Sequence, residues 1–342
     1  MPLQTARPTD LPPPPDSRTG WPWSVKAEDF QDTMSDGSPW PCISIVTPSY
    51  NQGDFIEETI RSVLLQGYPN LEYVIMDGGS TDGTLETVRE YEPWLAHWTS
   101  EPDRGQADAI NKGFRLATGS LLGWMNSDDL FTPSSFRDLA TAHIRHPDRL
   151  LAGPVVNFGD GLPDHIVRQC ELTFRNCVEF WRPDIKYHMP GILFPRTLYE
   201  YVGELDIGLR YAFDKDLLCR LLRVSSVEYL PQPVARFRLH PQSKTVSEGG
   251  GFLPEVAEIS KRYWSLVEGH TDRAFRSGAS IKFADHGRRQ FARRHYRWGL
   301  RAISISLGYH PLGVVRSIRG FIASRISRRW PGVRPSSPEK PS

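Results

Sequence analysis

Residues 123–131 read GWMNSDDLF, in which an apolar run ends in four polar residues before apolar residues resume. The adjacent carboxylates Asp128 and Asp129 offer hard oxygen ligands, which suit Mg²⁺ or Mn²⁺ bound together with substrate phosphate oxygens. The alternative is a solvated turn in which an aspartate caps the following helix. Because the pair comes directly after a predicted buried strand, its position favours a metal site.

Polar and turn-forming residues also follow two other predicted strands, as TPSYNQG at 47–53 and DGGSTDG at 77–83. The carboxyl ends of parallel strands converge on one crevice, so we expect these three segments to meet there. The glycines of the second segment permit a tight turn and a close approach of the backbone to a ligand. The first segment is not GxGxxG, which argues against a dinucleotide-binding dehydrogenase.

Short apolar runs alternate with helical periods from Ile43 onwards. The predicted strands are ISIVT at 43–47, LEYVIM at 71–76, LAHWTS at 95–100 and LLGWM at 121–125. Strands separated by segments of helix length predict βαβ units, and therefore an α/β fold with a mostly parallel sheet. Residues 150–240 are less regular, with a helix predicted over 214–223 and a strand near 233–238.

With 342 residues, 39% of them hydrophobic, the chain can form one large α/β domain or two smaller ones. The four cysteines lack CxxC spacing and predict reduced thiols in a reducing compartment. No run approaches the roughly 18 to 20 apolar residues that span a bilayer, and no apolar signal core is visible. These features predict a cytoplasmic protein.

The two ends of the chain differ from its middle. Residues 1–41 hold nine prolines and predict a flexible leader. Residues 271–334 hold fourteen Arg and one Lys against two Asp, a local charge of +13. In the tail from about residue 310, the apolar residues Val315, Ile318, Ile322 and Ile326 recur at helical spacing, which predicts a peripheral position on an anionic membrane at the inner face. A packed C-terminal helix is the alternative, and the lack of a recognised module argues against nucleic-acid binding.

Five motifs occur along the chain in the order VTPSYN, DGGSTDGT, EPDRGQADAINKG, ATGSLLGWMNSDD and FDKDLLCRL. The ordered set resembles the family 2 glycosyltransferases of the GT-A fold, especially those of bacterial O-antigen and related surface polysaccharides. The resemblance implies a metal-dependent, inverting transfer of a sugar from a nucleotide-sugar donor to a hydroxyl of a glycan or lipid-linked acceptor. The expected domains are 42–245 for GT-A, 246–334 for a helical Arg-rich region and 335–342 for a disordered tail.

The resemblance also implies roles for individual residues. Tyr50 and Asp77 would contact the nucleotide base, and Asn126 would approach the ribose. Asp128 would bind the divalent cation, Mg²⁺ or Mn²⁺, that bridges the donor diphosphate, and a carboxylate of a later acidic motif would be the general base. The remaining assignments are Pro48, Ser49, Gly105 and Ser127 to the donor site, and His240 and Asp129 to the metal. A structural histidine is the alternative for His240.

The chain departs from the family pattern at four positions. Asn126 replaces the usual first Asp, and Gly78 replaces the second acid of the common DDGS. Ile110 stands where many members have Arg, and Phe213 replaces the Glu before the base. A sugar-1-phosphate nucleotidyltransferase is an alternative, although its Gly-rich N-terminal loop is missing. A catalytically inactive nucleotide-sugar-binding protein is another, suggested by Asn126 and Phe213.

The segment FDKD offers two candidates for the general base, Asp214 and Asp216. On a helix, Asp214 shares a face with the apolar positions three, four and seven residues later and should look inward. Asp216 lies about 200° away and should be solvated. The register of the family motif also selects Asp214, and a helix-capping role is its alternative.

Several other side chains have two interpretations each. Tyr50 follows a predicted strand and could either face a ligand or pack as a buried aromatic ring. Arg236, Arg238 and Lys244 could hold a diphosphate or be exposed charges at the end of a strand.

Overall fold

The computed structural model describes residues 9–15, 18–25, 30–159, 161–184, 186–244, 251–311, 315 and 317. The chain divides into two compact units. The first comprises Met1–Cys177 and Asp184–Gly249, and the second comprises Val178–Pro183 and Gly250–Ser342. The domain boundaries drawn from the sequence stay a prediction, and the predicted tail 335–342 lies outside the described residues.

Eleven strands are found among the described residues, all in the first unit. They are β1 Ile43–Ser49, β2 Leu71–Asp77, β3 His97–Ser100, β4 Leu121–Trp124, β5 Leu130–Phe131, β6 Leu150–Ala152, β7 Val155–Gly159, β8 Leu162–Val167, β9 Ile192–Pro195, β10 Val227–Tyr229 and β11 Ala235–Arg238. Seven form a sheet in the order β10-β6-β9-β4-β1-β2-β3. Only β9 runs antiparallel to its neighbours. The predicted α/β fold and its first four strands are confirmed.

The described residues of this unit also form α-helices. They are α1 Ile56–Leu64, α2 Thr84–Tyr91, α3 Gln106–Leu116, α4 Ser135–Arg145, α5 Phe174–Val178, α6 Arg196–Val202 and α7 Phe213–Leu221. Their apolar residues are buried with those of the sheet, as Ile60 of α1 and Ile45 of β1 illustrate. This burial stabilises the sheet edge from which the polar loops project.

A second sheet of four strands has the order β5-β11-β7-β8. The sequence predicted only β11 of this sheet, because the other strands are short or lack regular alternation. β5 follows the acidic loop after β4 and pairs antiparallel with β11, through Phe131 and Ala235. The second sheet therefore brings the end of β11 beside the acidic loop.

The described part of the proline-rich leader contacts helix α1. The guanidinium group of Arg61, which is fully buried, donates to the carbonyl oxygens of Pro12, Pro22 and Trp23. The same group also donates to the Tyr91 hydroxyl. Backbone carbonyls of the leader thus satisfy a buried charge, and the flexibility predicted for 1–41 stays a prediction.

The second unit contains helices α8 Phe252–Trp264, α9 Asp272–Ala292 and α10 Tyr296–Tyr309. Trp181, Trp264 and Phe275 form a cluster in which each ring centroid lies within 5.6 Å of the others. A Cβ atom added at Gly278 would clash with the Trp181 ring, so a glycine lets α9 approach that ring. No helix of the described residues is long and apolar enough to cross a bilayer.

Candidate active site

The carboxyl ends of β1, β2, β3 and β4 lie side by side, as parallel pairing requires. The backbone N–H of Gly78 donates to the Ser49 carbonyl oxygen at 2.8 Å, and that of Glu101 donates to the Asp77 carbonyl oxygen at 3.0 Å. The three predicted polar segments are therefore adjacent. A fourth segment, which follows β3, joins them.

Asp128 and His240 contact each other at this edge. Asp128 Oδ2 lies 2.9 Å from His240 Nε2, and their side chains retain 20% and 11% exposure. The His240 ring packs on Phe55, and its Nδ1 is buried without a hydrogen-bond partner in the described residues. A carboxylate oxygen and an imidazole nitrogen, 112 residues apart in sequence, are thus brought together.

Asp129, the neighbour of Asp128, points into the protein and is fully buried. Its Oδ1 accepts from the backbone N–H of Arg238 at 2.8 Å, and its Oδ2 accepts from Asn126 Nδ2 at 2.9 Å. Burial raises the pKa of its carboxyl well above the usual range, with a further contribution from the nearby Asp128 charge. The geometry favours a structural role for Asp129 over the metal-ligand role predicted from the sequence, because both oxygens already accept hydrogen bonds.

Asn126 belongs to a chain of hydrogen bonds that ends at Asp129. Lys244 Nζ donates to Gln106 Oε1 at 3.1 Å, and Gln106 Nε2 donates to Asn126 Oδ1 at 2.7 Å. Asn126 then donates to Asp129 through its amide group. An ionised aspartate at position 126 would offer Asp129 no donor, whereas the amide of Asn126 does.

Arg236 and Arg238, at the end of the second sheet, both contact protein groups. Arg238 donates to Glu58 Oε2 at 2.7 Å and to the Asp128 carbonyl oxygen at 2.9 Å. Arg236 makes an ion pair with Asp164 at 3.0 Å. Arg238 therefore holds the acidic loop in place. The sequence had suggested either a diphosphate ligand or an exposed charge for this residue.

Asp77 and Tyr50 lie at the ends of β2 and β1. Asp77 Oδ2 accepts from the backbone N–H groups of Gly79 and Ser80 at 3.0 and 2.8 Å, and from Ser100 Oγ at 2.6 Å. Its carboxylate shapes the glycine-rich turn, so a contact with a base stays a prediction. Tyr50 is 61% exposed, which rules out the buried-ring interpretation and leaves its ring open to a ligand.

The other predicted donor-site residues occupy the same edge. Pro48 lies in β1 beyond Val46, where pairing with β4 ends, so its missing N–H breaks no ladder bond. Ser49 Oγ is buried without a hydrogen-bond partner in the part of the chain described. Gly105 precedes α3 with φ of +110°, a conformation that favours glycine, and Ser127 is buried in the acidic loop.

Helix α7 differs from its prediction at one of its two aspartates. Asp214 is half-buried in the first turn, whereas Asp216 is buried and pairs with Arg220 at 2.9 Å. The prediction of a solvated Asp216 is wrong. A helix has a solvated face only where it lies at the surface. The buried side chains of α7, which include Lys215 and Cys219, lie on all sides of the helix.

Sequence reasoning assigned no role to Asp103, Gln106 and Glu58. Asp103 and Gln106 lie within the quoted motif EPDRGQADAINKG, so the motif was the available signal. Glu58 lies on α1 and gives no sequence signal, because its partner Arg238 is 180 residues away. No cluster of three or more metal-binding His, Cys, Asp or Glu side chains exists among the described residues. The predicted cation site therefore stays a prediction, and Asp128 and His240 are the two of its predicted ligands that contact each other.

The sequence matches a protein-family model over residues 44–215, half of the chain, and the family is glycosyl transferase family 2. An uncharacterised glycosyltransferase of Rickettsia typhi is 26% identical over 72% of this chain and 81% of its own length. The O-antigen biosynthesis protein RfbC of Myxococcus xanthus is 26% identical over 70% of this chain. TuaG of Bacillus subtilis, named for teichuronic acid biosynthesis, is 40% identical over 26% of it. The chain spans only 20% of RfbC and 36% of TuaG.

Two solved structures of S. aureus TarS share this fold. The complex with UDP-GlcNAc has a TM-score of 0.59 and 17% identity, over 84% of this chain and 91% of that one. The complex with UDP has a TM-score of 0.57 and 18% identity, over 86% and 93%. At this identity the likeness concerns the fold alone.

Proposed function

The chain belongs to glycosyl transferase family 2 and is a nucleotide-sugar-dependent glycosyltransferase, and from that premise we propose a metal-dependent, inverting transfer to an acceptor hydroxyl. The contact between Asp128 Oδ2 and His240 Nε2 at 2.9 Å carries the metal part of this proposal. It joins two side chains that the resemblance assigned to one cation. The names of two relatives support an acceptor in surface polysaccharide or glycolipid synthesis.

The residues at this edge fit a divalent cation. Both Mg²⁺ and Mn²⁺ bind carboxylate oxygen, and Mn²⁺, the softer ion, also binds imidazole nitrogen. One or two protein ligands are enough where substrate phosphates supply others. Asp128 and His240 would hold the cation, and the cation would supply positive charge to offset the charge developing on the leaving diphosphate.

Other protein groups orient Asp128 and contact the nucleotide. Arg238 and the buried Asp129 hold the acidic loop against the second sheet, so Asp128 keeps its orientation. The exposed Tyr50 ring is suited to stack with a nucleotide base. A structure in which these groups are set before binding lowers the entropic cost of orienting the donor.

We assign the general base to Asp214, which stays half-exposed in the first turn of α7. Its carboxylate accepts the proton of the acceptor hydroxyl as the oxygen forms a bond to the anomeric carbon. The bond between that carbon and the diphosphate oxygen breaks, and the electron pair leaves with the nucleoside diphosphate. A single displacement of this kind inverts the configuration at the anomeric carbon.

The described part of the C-terminal region offers a second apolar stripe, on helix α10, that supports the predicted membrane association. Tyr296, Leu300 and Leu307 share one face and are 58%, 64% and 49% exposed. Arg297 and Arg301, which directly follow Tyr296 and Leu300 in the sequence, are exposed beside this face. An apolar stripe beside arginines suits an anionic membrane surface. Most of the predicted tail beyond 310 lies outside the described residues.

A donor screen tests the transfer. Thermal unfolding is followed with UDP-, GDP- and dTDP-sugars, with Mn²⁺ or with EDTA, and release of nucleoside diphosphate is then measured for the donor that stabilises the protein. We expect one nucleotide class to raise the Tm only with Mn²⁺, and product release to require it. Equal Tm shifts and release in EDTA would contradict metal dependence. Binding without release under all conditions, including added glycan or lipid acceptors, would favour the inactive nucleotide-sugar binder.

Vesicle sedimentation tests the membrane proposal with the full chain. Replacing Tyr296, Leu300 and Leu307 with serine should reduce binding to phosphatidylglycerol vesicles, and salt should reduce the binding of the unsubstituted protein. Leu266→Ser is the control, because Leu266 is 50% exposed and lies outside α10. Equal vesicle binding by the triple variant and the control would overturn the proposal.

A further inference from the structure

Position 78 lacks the acid that the related pattern DDGS would place there, but a carboxylate from elsewhere in the chain lies against it. A Cβ atom built on Gly78 would lie 2.7 Å from Asp103 Oδ2 and 3.2 Å from Asp103 Cγ. Asp103 follows β3, whereas Gly78 follows β2, and these strands pair in parallel. The negative charge missing from one loop is thus supplied by the next.

The Asp103 carboxylate is held in this position by its own loop. Its Oδ1 accepts from the backbone N–H of Gly105 at 2.7 Å, and the residue is half-buried. The Glu101 N–H bonds to the Asp77 carbonyl oxygen, so the loop is tied to the end of β2. One oxygen therefore fixes the side chain and the other is directed towards Gly78.

An exposed aromatic ring lies near the same Cβ position on Gly78. Tyr50 Cδ2 is 3.4 Å from the same Cβ position on Gly78, and Tyr50 is 61% exposed. Asp77, in contrast, uses both carboxylate oxygens to accept hydrogen bonds from its own turn and from Ser100. Of these two carboxylates, Asp103 is the one with an oxygen on which the described residues place no hydrogen bond.

We propose that Asp103 is a nucleotide-binding residue that replaces the acid missing at position 78. Its Oδ2 accepts a hydrogen bond from the nucleoside part of the donor, whose base stacks on Tyr50. The donating group is either a ribose hydroxyl or an N–H of the base, both of which a carboxylate binds well. This inference rests on the proposed function, because it requires a nucleotide donor.

The geometry also places the Asp103 carboxylate where a side chain at position 78 would begin, so the carboxylate would have to move to admit one. A side chain at position 78 starts 2.7 Å from Asp103 Oδ2, closer than any real Cβ contact. Gly78→Asp should therefore weaken nucleotide binding while Asp103 is present. The double variant Gly78→Asp with Asp103→Ala removes the clash and restores a carboxylate to the same place.

Isothermal titration with UDP, Mn²⁺ and the full chain tests the proposal. Asp103→Asn keeps an oxygen for the Gly105 N–H but presents an amide NH₂ to the ligand. We expect its Kd for UDP to rise about tenfold to a hundredfold, the usual effect of losing a hydrogen bond to a charged group. Glu101→Gln is the matched control, since Glu101 lies two residues away and pairs with Lys112.

Ligand analogues identify the donating group. If Asp103 binds the ribose, 2′-deoxy-UDP or 3′-deoxy-UDP should bind the unsubstituted protein more weakly than UDP does. Asp103→Asn should bind that analogue and UDP with the same affinity. If it binds the base, N3-methyl-UDP should behave in that way instead. The double variant should bind UDP more tightly than either Gly78→Asp or Asp103→Ala alone.

The outcomes separate this inference from the proposed function. Equal UDP affinity in the unsubstituted protein, Asp103→Asn and Glu101→Gln would overturn the role of Asp103 and leave the transferase intact. If UDP does not bind, GDP and dTDP are titrated in the same way, and the tightest is used for the variants. Failure of all three to bind the unsubstituted protein would count against both.

Discussion

Two acidic pairs of this protein divide their roles in the same way. The strand-end pair, Asp128 and Asp129, follows β4, and the helix pair, Asp214 and Asp216, begins α7. In each pair one carboxylate is buried and bound by protein groups, as Asp129 and Asp216 are. The other member of each pair keeps some exposure. Closeness in sequence therefore does not indicate which carboxylate of a pair is accessible to a substrate.

The two buried members differ in what neutralises them. Asp129 accepts hydrogen bonds from a backbone N–H and an amide, and burial raises the pKa of its carboxyl. Asp216 has a full counter-charge in Arg220, which also donates to the carbonyl oxygens of three residues before α7, namely Val202, Gly203 and Glu204. The helix pair is thus anchored by an ion pair, and the strand-end pair is anchored by dipoles.

The largest effect is expected on transfer activity when the proposed base is removed. Asp214→Asn should reduce transfer about 10²- to 10⁴-fold, the usual contribution of a general base, with donor affinity largely retained. Transfer is measured with the donor found in the screen, and donor affinity by calorimetry. Near-normal turnover in this variant would reject Asp214 as the base.

The second effect is on stability. Asp216→Ala leaves the Arg220 charge in a largely buried site and should lower the free energy of unfolding by about 3–5 kcal/mol, measured by urea titration. Glu204→Ala is the control, because its ion pair with Arg115 is exposed and should contribute less than about 1 kcal/mol. Similar losses in both variants would show that burial does not distinguish the two ion pairs.

The third effect concerns the exposed member of the strand-end pair. Asp128→Ala removes one of two proposed protein ligands, and we expect Mn²⁺-dependent donor affinity to fall at least about tenfold with little change in the Tm. Asp164→Asn on β8 is the matched control, since Asp164 is exposed and pairs with Arg236. Undiminished Mn²⁺-dependent affinity in Asp128→Ala would remove this residue from the metal site.

The smallest effect is expected at the buried member of that pair. Asp129→Asn keeps an acceptor for the Arg238 N–H but opposes the amide of Asn126, so it should cost about 1 kcal/mol of stability. Mn²⁺-dependent donor affinity should stay within about threefold of the unsubstituted protein, a change of less than 1 kcal/mol. A loss as large as that of Asp128→Ala would restore the sequence-based assignment of Asp129 to the metal.

Local pattern was enough to predict the strands that carry the candidate site. Four apolar runs separated by helical periods predicted the parallel strands, and polar residues at their ends predicted the crevice edge. These features are readable because strand periodicity and turn composition depend on residues close together in sequence. The ordered motifs added the family, which the match over residues 44–215 confirms.

Helical spacing failed where burial depended on distant segments. It assigned Asp216 to a solvated face, because spacing gives the angle around a helix but not what packs on each side. Glu58 and the backbone of Arg238 gave no sequence signal either, since Arg238 contacts Glu58 and Asp129 across 180 and 109 residues of sequence.

The amino-acid sequence by itself determined the α/β architecture, the order of the polar strand ends and the family to which the chain belongs. Only the tertiary structure decided which carboxylate of each pair is buried, and that Asp103 fills the space beside Gly78. It also decided that Cys177 and Cys219, which lack any motif spacing, have sulfur atoms 3.3 Å apart. The physical reason is the same throughout. Local sequence sets backbone preferences, whereas burial, pairing and pKa depend on groups that become neighbours only after the chain has folded.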